Sequence, residues 1–417
     1  MLSGYLWLDL PPFLLEFWDN FRHNLFKPLL LFFYMGFLVP ILRVKLDFPH
    51  VIYQGLVIYL LIAIGWKGGE ELAALPREEL QSALGFMLVG FVTNFVIGIV
   101  AYLFLRAGTN LRRIDAATVA GYYGSDSAGT FVTCTGVLAT LNIAYAAYMP
   151  VMLAVMEIPG CLVALYLVSQ LRNRGMDALG NAPDEPGYDP SAAPIAPTDL
   201  EDAHGGHATA EATADAKDRK LQATLAVQDR DEPAHSVKSK GILNPELLHE
   251  VFFNPGLFLL FGGILIGFIG MSQGHKVVED DDPVFKTLFH GLLCLFLLEM
   301  GMTASRKLQD LKAAGWRFIA FGLIAPNIFA TTGIVVASVY AHMTHSPLQE
   351  GTYVLFAVLC GAASYIAVPA VQRLAIPEAS PTLPLAASLG LTFSYNVTLG
   401  IPVYIQITRM VMKSFPI

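Results

Sequence analysis

Apolar runs of about twenty residues recur along this chain, and they settle the solvent in which it folds. A helix needs a run of that length to cross the hydrocarbon of a bilayer. Ten runs are predicted as spans: residues 28–44, 50–66, 83–105, 116–142, 148–169, 253–272, 284–302, 316–341, 351–375 and 383–408. Hydrophobic residues are 54% of the 417 and charged residues only 14%, which excludes a water-soluble domain of this length. The expected fold class is an all-α polytopic membrane protein with about ten transmembrane helices. Residues 5–20, with Trp7, Phe13 and Trp18, read as an amphipathic helix in the interface. No basic stretch or small-residue cleavage site marks a removable leader there.

Two of the ten runs are wrong for plain spanning helices. The fourth carries Gly121-Tyr122-Tyr123-Gly124-Ser125-Asp126-Ser127-Ala128-Gly129-Thr130 at its middle. The ninth carries Gly361-Ala362-Ala363-Ser364-Tyr365-Ile366-Ala367-Val368-Pro369. Backbone leaves the helix at membrane depth only where it is buried in protein or lines a cavity. An ionisable side chain there costs about 2.5–3.5 kcal/mol on insertion scales, so Asp126 points to function. The alternative for the glycines is close helix packing, which does not require the aspartate.

The broken runs occupy corresponding places in two halves. Residues 25–172 form a first five-helix repeat and 250–417 a second, with 1–24 as the interfacial segment. Residues 173–249, rich in Ala, Asp, Pro, Gly and His, cannot bury enough apolar surface to order themselves and are expected to be a disordered linker. His204 and His207 within it are too few to hold a metal. Phe26-Lys27-Pro28 with Gly36 recurs as Phe253-Asn254-Pro255 with Gly263 at the same internal spacing. Five is odd, so the second half starts on the opposite face: a 5+5 inverted repeat whose two broken helices cross at the midplane.

Basic residues assign the faces. Arg43, Lys45, Arg106, Arg112, Arg113, Arg172, Arg174, Lys238, Lys240, Arg306, Lys307, Lys312, Arg317 and Arg373 on one side outnumber Arg22, Lys27, Lys67, Arg77, Lys276, Lys286, Arg409 and Lys413 on the other. The linker is therefore expected in the cytoplasm and both termini outside. The formal charge of −8 says nothing of partners, because the acids cluster in the linker and at 279–282. Cys134, Cys161, Cys294 and Cys360 lie in apolar runs at no metal or redox spacing and are expected to be buried small hydrophobes.

A helix interrupted mid-membrane leaves free carbonyls at the end of its first half and free N–H groups at the start of its second. The first end suits a cation and the second an anion. No Lys, Arg or His lies deep in a span of the first half, and only His290 and Arg373 come near in the second. An anion would then rest on Ser127, Ala128, Gly129 and Thr130 from one break and Ser364, Tyr365, Ile366 and Ala367 from the other. Sodium would take oxygens from Gly124, Ser125, Asp126, Thr130 and Gly361. Glu157 and Glu299 either line the pathway or satisfy a backbone gap. Asn94, Asn327 and Asn396 are expected as hydrogen-bond glue between helices.

These residues resemble the sodium-dependent bicarbonate transporter family known from cyanobacteria. The similar parts are Asp115-Ala116-Ala117 leading to Gly124, Ser127 and Thr130; Glu157-Ile158-Pro159; Ile64-Gly65 with Gly68-Gly69; Met300-Gly301-Met302; and Ser364 leading to Ile376-Pro377. The resemblance implies a homotrimer in the bacterial plasma membrane that carries bicarbonate inward with sodium, and a PII-like cytoplasmic regulator. It implies no enzyme activity, no cofactor beyond sodium as coupling ion, and no nucleic-acid partner. Two positions depart from the family pattern: the acid expected in the second break is Tyr365 here, with Asp126 in the first, and Gly-Pro-Pro is replaced by Val368-Pro369-Ala370. Bicarbonate thus widens to a small anion. Two other classes compete. An intramembrane aspartyl protease needs two carboxylates sharing a proton, and only Glu157 could partner Asp126. An anion sensor or channel would bind the same ion without coupled flux.

Overall fold

The computed structural model describes residues 26–189, 255–310, 315–365, 368–369, 372, 375–380 and 382–417. The expected interfacial helix at 1–24, most of the expected linker with His204 and His207, and the candidates Ile366 and Ala367 lie outside those residues.

Among the described residues the chain is all-helical. In order run α1 (Pro28–Ile41), α2 (His50–Ala73), α3 (Arg77–Gly108), α4 (Arg113–Tyr123), α5 (Ala128–Thr140) and α6 (Met149–Asn173). There follow α7 (Pro255–Gln273), α8 (Phe289–Asp310), α9 (Trp316–Thr344), α10 (Glu350–Gly361) and α11 (383–414). Among the described residues six stretches are long and apolar enough to cross a membrane: α2, α6, α7, α9, the Ala83–Gly108 part of α3, and Pro283–Leu308, which takes in most of α8. Helices α1 and α10 are apolar but shorter. Prolines mark several starts: Pro28 and Pro255 open α1 and α7, and Pro49 and Pro76 precede α2 and α3. Their fixed φ suits a first turn, whose N–H has no intrahelical partner anyway.

Packing divides the helices into two groups. Helix α1 packs on α8 and α2 on α7, so the first helix of each half meets the second of the other. The remaining helices pack as α3 with α4 and α6, α4 with α6, α9 with α10 and α11, and α10 with α11, with α3 and α9 in contact. Paired glycines allow the first set of crossings. A Cβ on Gly36 would overlap the Leu298 carbonyl, and one on Gly301 the Phe33 carbonyl. Equivalent overlaps occur between Gly65 and Leu260, and between Gly267 and Trp66. Without a hydrophobic driving force between helices in lipid, such backbone approach supplies van der Waals contact instead. All four cysteines are free and buried.

The linker begins later than residue 173. Residues 174–189 fold against the ends of α4 and α6, with Met176 buried among Ile114, Ala117, Val168, Leu171, Ile376 and Ala379. Average composition hid one ordering residue, Asp177. Its carboxylate accepts the N–H groups of Leu179 (3.0 Å), Asn181 (2.7 Å) and Asp189 (3.0 Å), and the Asn181 amide (3.2 Å). Arginines tie this strap down. Arg112 donates to the Leu179 carbonyl at 2.9 Å, and the Arg113 N–H donates to Glu185 at 2.7 Å; beside the strap, Arg112 also pairs with Asp115 at 2.8 Å and Arg172 with Glu378 at 2.8 Å. A deletion of 180–235 would therefore remove Asn181 and Glu185. It is expected to lower thermal stability, whereas a deletion of 191–240 leaves all these bonds in place; a melting comparison of the two checks this.

Burial alone would raise the Asp177 carboxyl, but its four hydrogen bonds hold it below the usual value of 3.8. A depressed carboxyl stabilises the fold above its unfolded pKa and loses that contribution as pH falls through the folded one. Amide-exchange protection at Leu179, Asn181 and Asp189 should hold above about pH 4 and fall away progressively at lower pH, as the depressed folded carboxyl takes up its proton. Asp177→Asn should abolish the protection at every pH.

Candidate functional site

The fourth span breaks where the glycine, serine and aspartate residues predict. Helix α4 closes with the Gly124 N–H on the Ala120 carbonyl at 2.8 Å, and Ser125 and Asp126 leave the helix. Helix α5 restarts behind Ser127, an extended N-cap whose hydroxyl accepts from the Thr130 N–H at 3.3 Å and the Thr130 hydroxyl at 3.0 Å. The break is pinned to α6 by the Ser125 hydroxyl, which donates to the Glu157 carbonyl at 2.7 Å.

The ninth span breaks after Gly361, and Ala362–Tyr365 run non-helical. The two breaks then join directly: the Ser364 N–H donates to the Tyr122 carbonyl at 2.8 Å. One of the carbonyls freed at the end of α4 thus holds the second break. The Ser364 hydroxyl accepts the Val368 N–H at 3.5 Å and restarts helix beyond the break.

Helix α11 holds both interrupted ends. Its wide π-helical turns, Ala386–Phe393 and Asn396–Gly400, carry Thr392 and Asn396. Thr392 bonds the Tyr123 hydroxyl at 2.6 Å, and the Asn396 amide donates to the Gly361 carbonyl at 2.9 Å. Asn396 is in turn held by the Tyr404 hydroxyl at 2.7 Å. Asn94 links α3 to the Met156 carbonyl of α6 at 3.0 Å, and Asn327 receives the Tyr395 hydroxyl of α11 at 2.6 Å. The three asparagines are interhelical glue.

Geometry sorts the candidate residues. Asp126 is 0% exposed, and neither carboxylate oxygen has a hydrogen-bond partner among the described residues. It lies in the break between Ser125, which is bonded to α6, and Ser127, which caps α5. Ser125, Ser127, Thr130 and Ser364 are buried around the same breaks, and Ala128 is half-buried. Gly129 faces Tyr365, whose hydroxyl occupies the space that a Cβ at 129 would fill. Gly361 fits the cation set less well, because its carbonyl already accepts from Asn396. The packing alternative also holds for two glycines: a Cβ on Gly124 would lie 2.8 Å from Gly98 Cα, and one on Gly361 2.7 Å from the Pro326 carbonyl. Glu299 accepts from Thr303 of its own helix at 2.8 Å.

Sequence reasoning missed the Tyr122 carbonyl, Thr392 and Phe296. A backbone acceptor carries no residue signature, and an apolar run gives no sign of which phenylalanine will reach a break.

Apolar helices able to span a membrane, with two interrupted helices joined at their breaks and a bare carboxylate buried in the first of them, fit a membrane transporter. The chain belongs to the Na+-dependent bicarbonate transporter superfamily, whose family model matches residues 28–409. No curated protein matches the sequence.

Proposed function

We propose that this protein is a sodium-coupled symporter that carries bicarbonate, or a similar small anion, into the cell across the plasma membrane. One observation carries the reading: the two breaks meet through Ser364 and Tyr122, and the first break holds the carboxylate of Asp126, buried and without a partner among the described residues. Sodium is cargo here, held by Asp126 and Ser125 with Gly124 and Thr130 oxygens. Its charge would compensate a carboxylate that is otherwise expensive at this depth. The anion faces the N-terminal end of α5 at Ser127–Thr130 and the Ser364–Ala367 segment. Hydroxyls and N–H groups hold it, with no basic side chain required.

The architecture that we infer is a 5+5 inverted repeat. Its support lies in the reciprocal crossings of α1 with α8 and α2 with α7. Leu29 and Leu293 both meet Gly136, and Gly36 meets Leu298, so α1 and α8 run in the same direction. Consecutive spans α7 and α8 cross oppositely, which sets α7 against its counterpart α1. The arginine-rich end with the strap is read as cytoplasmic, and the termini as outside. A homotrimer and a PII-like regulator acting on the linker follow from the family resemblance. No enzyme activity is proposed.

The test is uptake of labelled bicarbonate into proteoliposomes, against other small anions, with and without an inward sodium gradient. Saturable uptake that collapses without sodium is expected. Flux that neither saturates nor depends on sodium would overturn the reading in favour of a channel.

A further inference from the structure

Tyr365 is the residue of the second break that reaches into the first. It is 7% exposed, and its hydroxyl lies where a Cβ on Gly129 would stand, at the first turn of α5. That hydroxyl satisfies no hydrogen bond in good geometry among the described residues, although Ser127 stands beside it. Burying a hydroxyl without a partner is unfavourable, and a phenylalanine would fill the same space without that cost. In the first break, both oxygens of Asp126 also lack partners among the described residues. The head of α5, whose first N–H groups have no intrahelical acceptors, is thus faced by a phenol able to donate.

The surroundings leave little room to expand. The Tyr365 ring stands edge-on to Phe393 of α11, with centroids 5.5 Å apart. Phe296 of α8 comes within 3.1 Å of the same Gly129 position, and its ring stacks on Tyr53 of α2 at 6.2 Å. Rigid rings from three helices outside the break therefore back this corner. Gly129 is what admits the phenol, since any larger residue would push it away.

We propose that Tyr365 is the specificity-determining residue of this site. Its hydroxyl donates a hydrogen bond to the cargo anion at the head of α5, and its ring limits that anion to small ones such as bicarbonate, formate or nitrate. Larger tetrahedral anions such as sulfate and phosphate are excluded. This rests on the transport reading and assigns its substrate range.

The experiment uses the full chain in proteoliposomes with a sodium gradient. It measures half-saturating bicarbonate, half-saturating sodium, and competition by formate, nitrate, sulfate and phosphate. For the native protein, formate and nitrate should compete and sulfate and phosphate should not. Tyr365→Phe removes one oxygen and keeps the ring. It should raise half-saturating bicarbonate about tenfold, leave sodium dependence within about twofold, and keep sulfate excluded. Tyr365→Ala should let sulfate compete, and Gly129→Ala, which displaces the phenol without altering it, should do the same. Unchanged bicarbonate affinity in Tyr365→Phe overturns the assignment, as does intact sulfate exclusion in a Tyr365→Ala protein that still transports. Absence of sodium-dependent uptake by the native protein is a different result: it overturns the transport reading itself, and the assignment with it.

Discussion

Asp126→Asn is expected to raise the sodium concentration for half-maximal uptake about tenfold or more, equivalent to about 1.4 kcal/mol. Asp126 is fully buried, and both carboxylate oxygens lack partners among the described residues. Asparagine keeps the shape and one carbonyl oxygen but removes the charge that sodium would neutralise. Ser125→Ala should cost less, because the Ser125 hydroxyl already serves the Glu157 carbonyl. With Asp126 ionised, a site loaded with one sodium and one monovalent anion carries the same net charge as the unloaded site. Transport in that stoichiometry should be nearly independent of membrane potential, where each uncompensated charge would be worth about 2.3 kcal/mol per 100 mV. Uptake currents under imposed potentials measure this directly. A wild-type sodium curve in Asp126→Asn would move the cation site to Glu157 or Glu299.

Gly36→Val and Gly263→Val should each cost the protein its stable fold, seen as loss of monodisperse material in detergent and a large fall in melting temperature. In a flexible contact, overpacking costs about 1–3 kcal/mol. Here the obstacle is backbone. A Cβ on Gly36 overlaps the Leu298 carbonyl, and one on Gly263 lies 2.6 Å from the Ile62 carbonyl and 3.1 Å from Gly65 Cα. Neither helix can yield without separating the crossing. Gly262→Val is the control, because nothing lies within 4 Å of a Cβ there. Equal stability of the Gly262 and Gly263 variants would show that the crossings are not close-packed. Gly124→Val and Gly361→Val belong with this folding class, since their Cβ positions face α3 and α9 rather than a ligand.

Both interruptions were legible in advance, because glycine, serine and a lone aspartate contradict an apolar spanning helix and so mark themselves. The recurrence of Phe-x-Pro with a glycine eight residues after the proline likewise pointed to two halves, and Gly36 and Gly263 occupy corresponding crossings. The strap at 174–189 was not legible. Its order comes from one carboxylate collecting donors at positions 179, 181 and 189, and from Arg112 and Arg113, some seventy residues earlier in the chain. A composition average over 173–249 cannot register so local a device.

Apolar run length and the cost of polar groups in lipid are properties of each segment alone. Sequence by itself therefore determined the class, the helical content, the positions of the breaks and the presence of a buried acid. Partners are set by which surfaces meet after folding. Only tertiary structure decided that Ser364 binds the Tyr122 carbonyl, that Asn396 takes the Gly361 carbonyl, and that Tyr365 stands on Gly129. The physical reason is that backbone groups carry the same donors and acceptors at nearly every residue. Which of them a break exposes, and what then comes to meet them, depends on helices hundreds of residues apart.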